Sequence, residues 1–209
     1  MTSAAKPATR TAVIFDMDGT LTRCELDFDA IRAEIGMGPT SILEGLDRMH
    51  GEARRRAELI IARHEAEAAA ACELQPHAHE VIAGLRAAGV PVALMTRNSR
   101  RSVETVLTRH GLVFEHIRTR EDGEFKPSPR PVLDICRAFG VRPADAWVVG
   151  DYRFDLECGR AAGAHTVLML ERGIAPDWAD LADHVIRDLR ELLTCMASAG
   201  CLTSPAARI

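Results

Sequence analysis

Val13-Ile14-Phe15-Asp16-Met17-Asp18-Gly19-Thr20-Leu21-Thr22 is the stretch from which the rest of the chain can be read. Residues 12–15 are small, β-branched or aromatic, and a turn signal follows them, so they read as a short buried strand. Asp16 and Asp18 fall where that strand ends; Gly19 lets the chain turn away, and Thr20 adds a hydroxyl. In an open parallel sheet, ligands bind beyond the carboxyl ends of the strands, so these groups should face a crevice. Two carboxylates this close call for a cation, and a hard, oxygen-seeking ion such as Mg²⁺ suits them.

Beyond residue 75 the chain alternates. Apolar strand patterns at 90–95, 114–118, 146–149, 165–170 and 184–186 are separated by helical patterns. The helices are read at 79–88, from Ser99 or Ser102 to about 110, and at 129–139, 155–162 and 188–196. Such alternation predicts an α/β fold, a doubly wound parallel sheet with helices on both faces. Residues 23–74 have another texture. Phe28, Ile31 and Ile35 keep helical spacing, as do Ile42, Leu43, Leu46 and Met49, and residues 52–72 are rich in Ala, Glu and Arg; no strand is expected there. We read this block as a small α-helical cap inserted after the first strand, over a core domain of residues 1–22 and 75–209.

Three later strand ends carry polar groups where the crevice should lie. Thr96 follows the strand at 90–95, with Arg97 and Asn98 next to it; a hydroxyl and free N–H groups ahead of a helix can hold a phosphate oxygen. Lys126, with Lys6 one of only two lysines, sits in a Pro-stiffened loop. Asp151 and Asp155 follow the strand at 146–149 and could complete a Mg²⁺ site with Asp16.

The four loci, in this order, resemble the four motifs of the haloacid dehalogenase-like superfamily, most of whose members are Mg²⁺-dependent phosphatases. The resemblance runs from Val13 to about Leu193. It implies that Asp16 is the nucleophile that forms an aspartyl-phosphate and Asp18 the general acid and base. It implies that Thr96 and Lys126 are catalytic phosphate ligands, with Arg97 and Asn98 also binding substrate. The metal would be held by Asp16, the backbone carbonyl of Asp18, and Asp151, with Asp155 as a direct or indirect ligand. Within the superfamily the chain looks most like the phosphoglycolate-phosphatase-like group, which implies a small phosphorylated metabolite, phosphoglycolate-like or a sugar phosphate, as substrate. Asp18 argues against a dehalogenase, since a halide leaving group needs no proton. Residues 23–74 contain no lysine, which argues against phosphonoacetaldehyde hydrolase and its cap Schiff base. A phosphomutase of the β-phosphoglucomutase type, or a non-catalytic phosphate-binding or regulatory protein, stays open.

Among cap residues, Arg23 and Arg32 are candidates for binding an anionic substrate. The net charge of −4 gives no electrostatic reason to expect nucleic acid. No apolar run approaches a membrane span, and the first ten residues lack the apolar core of a signal peptide. Six scattered cysteines without a C-x-x-C pair read as reduced thiols, so a cytoplasmic protein is expected, a monomer or weak homodimer.

Overall fold

The computed structural model describes residues 11–23 and 26–202; the expected N-terminal tail and Cys24 lie outside the described residues. Strand β1 (Ala12–Phe15) is wholly buried. It is followed by a two-residue strand β2 (Thr22–Arg23) and three helices, α1 (Phe28–Ile35), α2 (Ile42–Leu46) and α3 (Gly51–Ala71). A second two-residue strand, β3 (Glu73–Leu74), leads to α4 (Ala78–Ala87), β4 (Val92–Met95), α5 (Arg100–His110) and β5 (His116–Arg118). The remainder is α6 (Arg130–Phe139), β6 (Ala146–Gly150), α7 (Arg153–Ala162), β7 (His165–Met169), β8 (His184–Ile186) and α8 (Arg190–Ser198).

Six strands form one parallel sheet in the order β5-β4-β1-β6-β7-β8. From β1 the chain builds outward through β4 to β5, then returns to lay β6 on the other side of β1. That reversal opens a crevice beyond the ends of β1, β4 and β6. Apolar clusters cover both sheet faces. Val13, Phe15, Leu85, Val106 and Leu192 belong to one; Ile14, Met95, Ile135, Val148 and Cys158 belong to the other. Alternate residues of β1 thus serve opposite faces, as a doubly covered central strand requires.

Three local outcomes differ from the sequence reading. The strand expected at 90–95 starts only at Val92, because Pro91 has no N–H to give the ladder. Helix α2 is short: it contains Gly45, a weak helix former whose missing side chain makes room for Met37. Residues 23–74 were expected to hold no strand, yet β2 and β3 pair antiparallel, Thr22 opposite Leu74 and Arg23 opposite Glu73. Two residues are too few to show alternation, so this pairing left no trace in the sequence pattern.

Helices α1 to α3 gather their own apolar cluster of Ile31, Ile42, Leu46, Ala57 and Ile61. Near the end of α3, Ala69 and the following Cys72 pack instead on the larger sheet cluster.

Candidate active site

The loop after β1 is tied into a compact knot. The N–H groups of Leu21 and Thr22 both donate to the carbonyl of Met17 at 2.9 Å, and Gly19 N–H donates to Thr22 at 2.9 Å. Gly19 has φ +82°, and a Cβ there would stand 2.1 Å from Asp151 Oδ2. Only glycine allows the acidic loop after β1 to approach the acid after β6 this closely. A second glycine works the same way: a Cβ on Gly150 would lie 2.1 Å from Asp155 Cγ.

These approaches bring together the residues singled out in the sequence. Lys126 Nζ donates to Asp16 Oδ1 at 2.5 Å and to Asp155 Oδ1 at 2.6 Å, and all three side chains are buried. Asp155 Oδ2 accepts the Tyr152 N–H at 3.2 Å, so both its oxygens are held. Asp16, Asp151 and Asp155 each present a carboxylate oxygen, all within 4.8 Å of one another. Thr20 donates its hydroxyl to Asp151 Oδ1 at 3.5 Å.

Three carboxylates face one ammonium, an excess of two negative charges. Burial raises the pKa of Asp16, against the pull of Lys126 and with the push of Asp18. Burial, reinforced by the charges of Asp16 and Asp155, pushes Asp151 up to about 8. Asp155 rises to about 6, again by burial and against Lys126. Burial would lower the Lys126 pKa, but the charges of Asp155 and Asp16 outweigh it and hold the ammonium well above its ordinary value. Fully ionised, this set of hard oxygen donors carries two excess charges, which fits a divalent oxygen-seeking cation such as Mg²⁺.

Thr96 is buried, and its hydroxyl accepts the Asn98 N–H at 3.0 Å. Asn98 does something the sequence did not reveal: its Nδ2 donates to Asp18 Oδ2 at 3.0 Å, fixing the direction of that carboxyl. Arg97 lines the cavity over this centre with its guanidinium engaged. Its Nη2 donates to both oxygens of Glu44 at 2.8 and 2.7 Å, Nη1 donates to the Lys126 carbonyl at 2.7 Å, and the guanidinium lies against the rings of Phe125 and Phe154.

A cavity of about 770 Å³ lies over this centre, lined by Asp16, Asp18, Thr96, Lys126, Asp151 and residues of α1 and α2. Arg32 lines it, paired with Asp29 at 2.6 Å. Arg23 does not line it: the guanidinium donates to Gln75 at 3.2 Å and to Glu171, so it braces the β2–β3 ribbon rather than facing the cavity. Reading by sequence also missed Phe28, Tyr152 and Phe154 as lining residues: the spacing of Phe28 marked a helix and not the cavity it borders, and Tyr152 and Phe154 stand in polar surroundings without a periodic signal.

Among the described residues no helix is long and apolar enough to cross a membrane. The family model described as haloacid dehalogenase-like hydrolase matches residues 11–163. A haloacid dehalogenase-like hydrolase domain-containing protein of Arabidopsis thaliana is 32% identical, over 83% of this chain and 76% of its own. Phosphoglycolate phosphatase 1 of Pseudomonas aeruginosa is 31% identical, over 97% of this chain and 87% of its own. A hydrolase of Pseudomonas syringae, at 20% identity, shares the fold with a TM-score of 0.78, covering 90% of this chain and 99% of that one. The fold, the four strand-end loci and the matched span together make this chain a member of the haloacid dehalogenase-like hydrolase family.

Proposed function

We propose that the protein is a Mg²⁺-dependent phosphatase acting on a small phosphorylated metabolite through an aspartyl-phosphate intermediate. The observation that carries this reading is the buried contact of Lys126 with Asp16 and Asp155, with Asp151 in reach. A carboxylate and a phosphate dianion repel each other, and an attack needs that repulsion cancelled and the approach fixed in line. Asp16, Asp151 and the Asp18 carbonyl would hold the cation, with Asp155 supporting it while anchoring Lys126. Bound there, Mg²⁺ supplies charge neutralisation and orientation of the phosphoryl oxygens.

The protein's own residues do the rest. Lys126 and Thr96 hold phosphoryl oxygens. Asp16 attacks phosphorus, and the bond from phosphorus to the ester oxygen breaks. Asp18, aimed by Asn98, gives its proton to the departing alkoxide. The resulting Asp18 carboxylate then takes a proton from water, whose oxygen attacks the aspartyl-phosphate, and inorganic phosphate and free Asp16 are regenerated. General acid–base help of this kind is worth about 10²–10⁴-fold in rate.

The test is phosphate release over a panel of phosphoglycolate, sugar phosphates and nucleotides, with and without Mg²⁺, alongside Asp16→Asn. Release that needs both the metal and Asp16 supports the reading. Release that survives Asp16→Asn would overturn it.

A further inference from the structure

The cavity above the phosphate-binding floor is too large and too apolar for a two-carbon leaving group. It is about 770 Å³, a size suited to a ligand many times the volume of phosphoglycolate. Its floor is charged, and its cap side is mainly apolar, with Arg32 and Glu65 its charged residues, paired with Asp29 and Arg120. Leu26, Phe28, Ile31, Ile42, Leu43 and Ile61 all line it. Phe28 and Tyr152 are half exposed, at 52% and 49%, although both line the cavity. One comes from α1 of the cap and the other from the loop before α7 of the core. Tyr152 is held edge-to-face by Phe154 and Trp178, with ring centroids 5.1 and 5.7 Å away, so it is a fixed surface.

Apart from Arg32, the lining cations that a second carboxylate would need are already engaged. Lys126 is shared by Asp16 and Asp155. Arg97 is held by Glu44 and by two aromatic faces. Arg153 is paired with Glu157 at 2.6 Å. Arg32 is the lining cation with the weakest hold, since its partner Asp29 is 93% exposed and an exposed pair adds little.

Resting on the phosphatase reading, we propose that the substrate is a phosphomonoester whose leaving alcohol carries a bulky apolar or aromatic portion, seated between Phe28 and Tyr152 beneath the cap. Covering half-exposed aromatic faces removes apolar area from water, and stacking adds to this. A dianionic two-carbon ester covers neither ring and leaves the cap side wet.

The experiment compares kcat/KM, with Mg²⁺, for 3-phenylpropyl phosphate, propyl phosphate and phosphoglycolate. Both alkyl esters release primary alcohols of similar basicity, so the chemical step is matched and the difference reports the cavity. The expected result is at least a tenfold preference for the phenylpropyl ester over both others. Phe28→Ala and Tyr152→Ala should each draw the phenylpropyl-to-propyl ratio toward one, chiefly through KM, and Phe28→Tyr should restore it. Because Phe28 is exposed, its loss leaves the folded core intact. Equal turnover of the two alkyl esters, or a preference for phosphoglycolate, would overturn the proposal while leaving the phosphatase reading standing. Absence of release from all three, with release from a sugar phosphate or nucleotide, would overturn the proposal alone; absence of release from the whole panel would overturn both.

Discussion

Lys126 sets the charge balance of the buried centre, so its removal should be felt in stability before activity is considered. Lys126→Met leaves Asp16 and Asp155 buried without their shared cation, which costs about 3–5 kcal/mol by analogy with other broken buried pairs. Urea unfolding in EDTA should show this loss. Asp18→Asn should slow turnover by about 10²–10⁴-fold for alkyl esters. For aryl esters the loss should be much smaller, since a good leaving group needs less protonation; steady-state kinetics on an alkyl and aryl pair separates the two. Gly19→Ala meets both a left-handed backbone and the Asp151 carboxylate, so Mg²⁺ binding by calorimetry should weaken sharply while the sheet stays folded. Asp16, Asp18, Thr96 and Asp151 were legible because they follow strand ends, where a polar residue interrupts an apolar run; Asp155 stands four residues past Asp151 in the first turn of α7, and Lys126 was marked by the scarcity of lysine and the prolines beside it. Asn98 as the support of Asp18, and Arg97 as the partner of Glu44, were not. Those pairings join residues 80 and 53 positions apart in the chain, a distance that periodicity does not span.

At the scale of elements, helix α7 packs against the sheet through Gly159. A Cβ there would stand 2.7 Å from Thr166 Cγ2 and 3.2 Å from Val148 Cβ. Gly159→Ala should therefore destabilise the fold by about 1–3 kcal/mol despite alanine's better helix propensity, as a lowered urea midpoint would record. The alternating strands and helices were legible for the opposite reason to Gly159: each covers enough residues for its period to be counted. Contacts between α2 and the core were not. Glu44 on α2 meets Arg97, and Glu65 on α3 meets Arg120. Burial would raise the Glu44 pKa, but hydrogen bonds from Arg97 and Ser41 outweigh it and hold the carboxyl below its ordinary value of 4.5. With the folded value depressed, this pair's contribution is complete above the unfolded value. It is lost as pH falls through the folded one. The melting temperature of Glu44→Gln should accordingly differ from the parent at neutral pH and converge with it in acid. Partial exposure keeps the difference small.

For the molecule as a whole, a cation that binds the folded centre and not the unfolded chain stabilises by mass action. At a free Mg²⁺ concentration 100 times Kd the gain is about 2.7 kcal/mol. For a chain of this length that is a rise of about 5–10 °C in Tm, reversible with EDTA and reduced by Asp151→Asn; scanning calorimetry would record it. The overall architecture was legible from the order of its elements, whereas the attachment of the helical block was not. Its exit and return run side by side through the β2–β3 ribbon, with Thr22 facing Leu74. Antiparallel partners lie about 5 Å apart, so the helices between them leave and rejoin the sheet through one narrow neck. A short turn could bridge the same gap, and a larger module could be grafted through it without a single sheet strand changing register. Through such a neck, a change confined to the helices would alter what covers the cavity while the charged centre beneath kept its geometry.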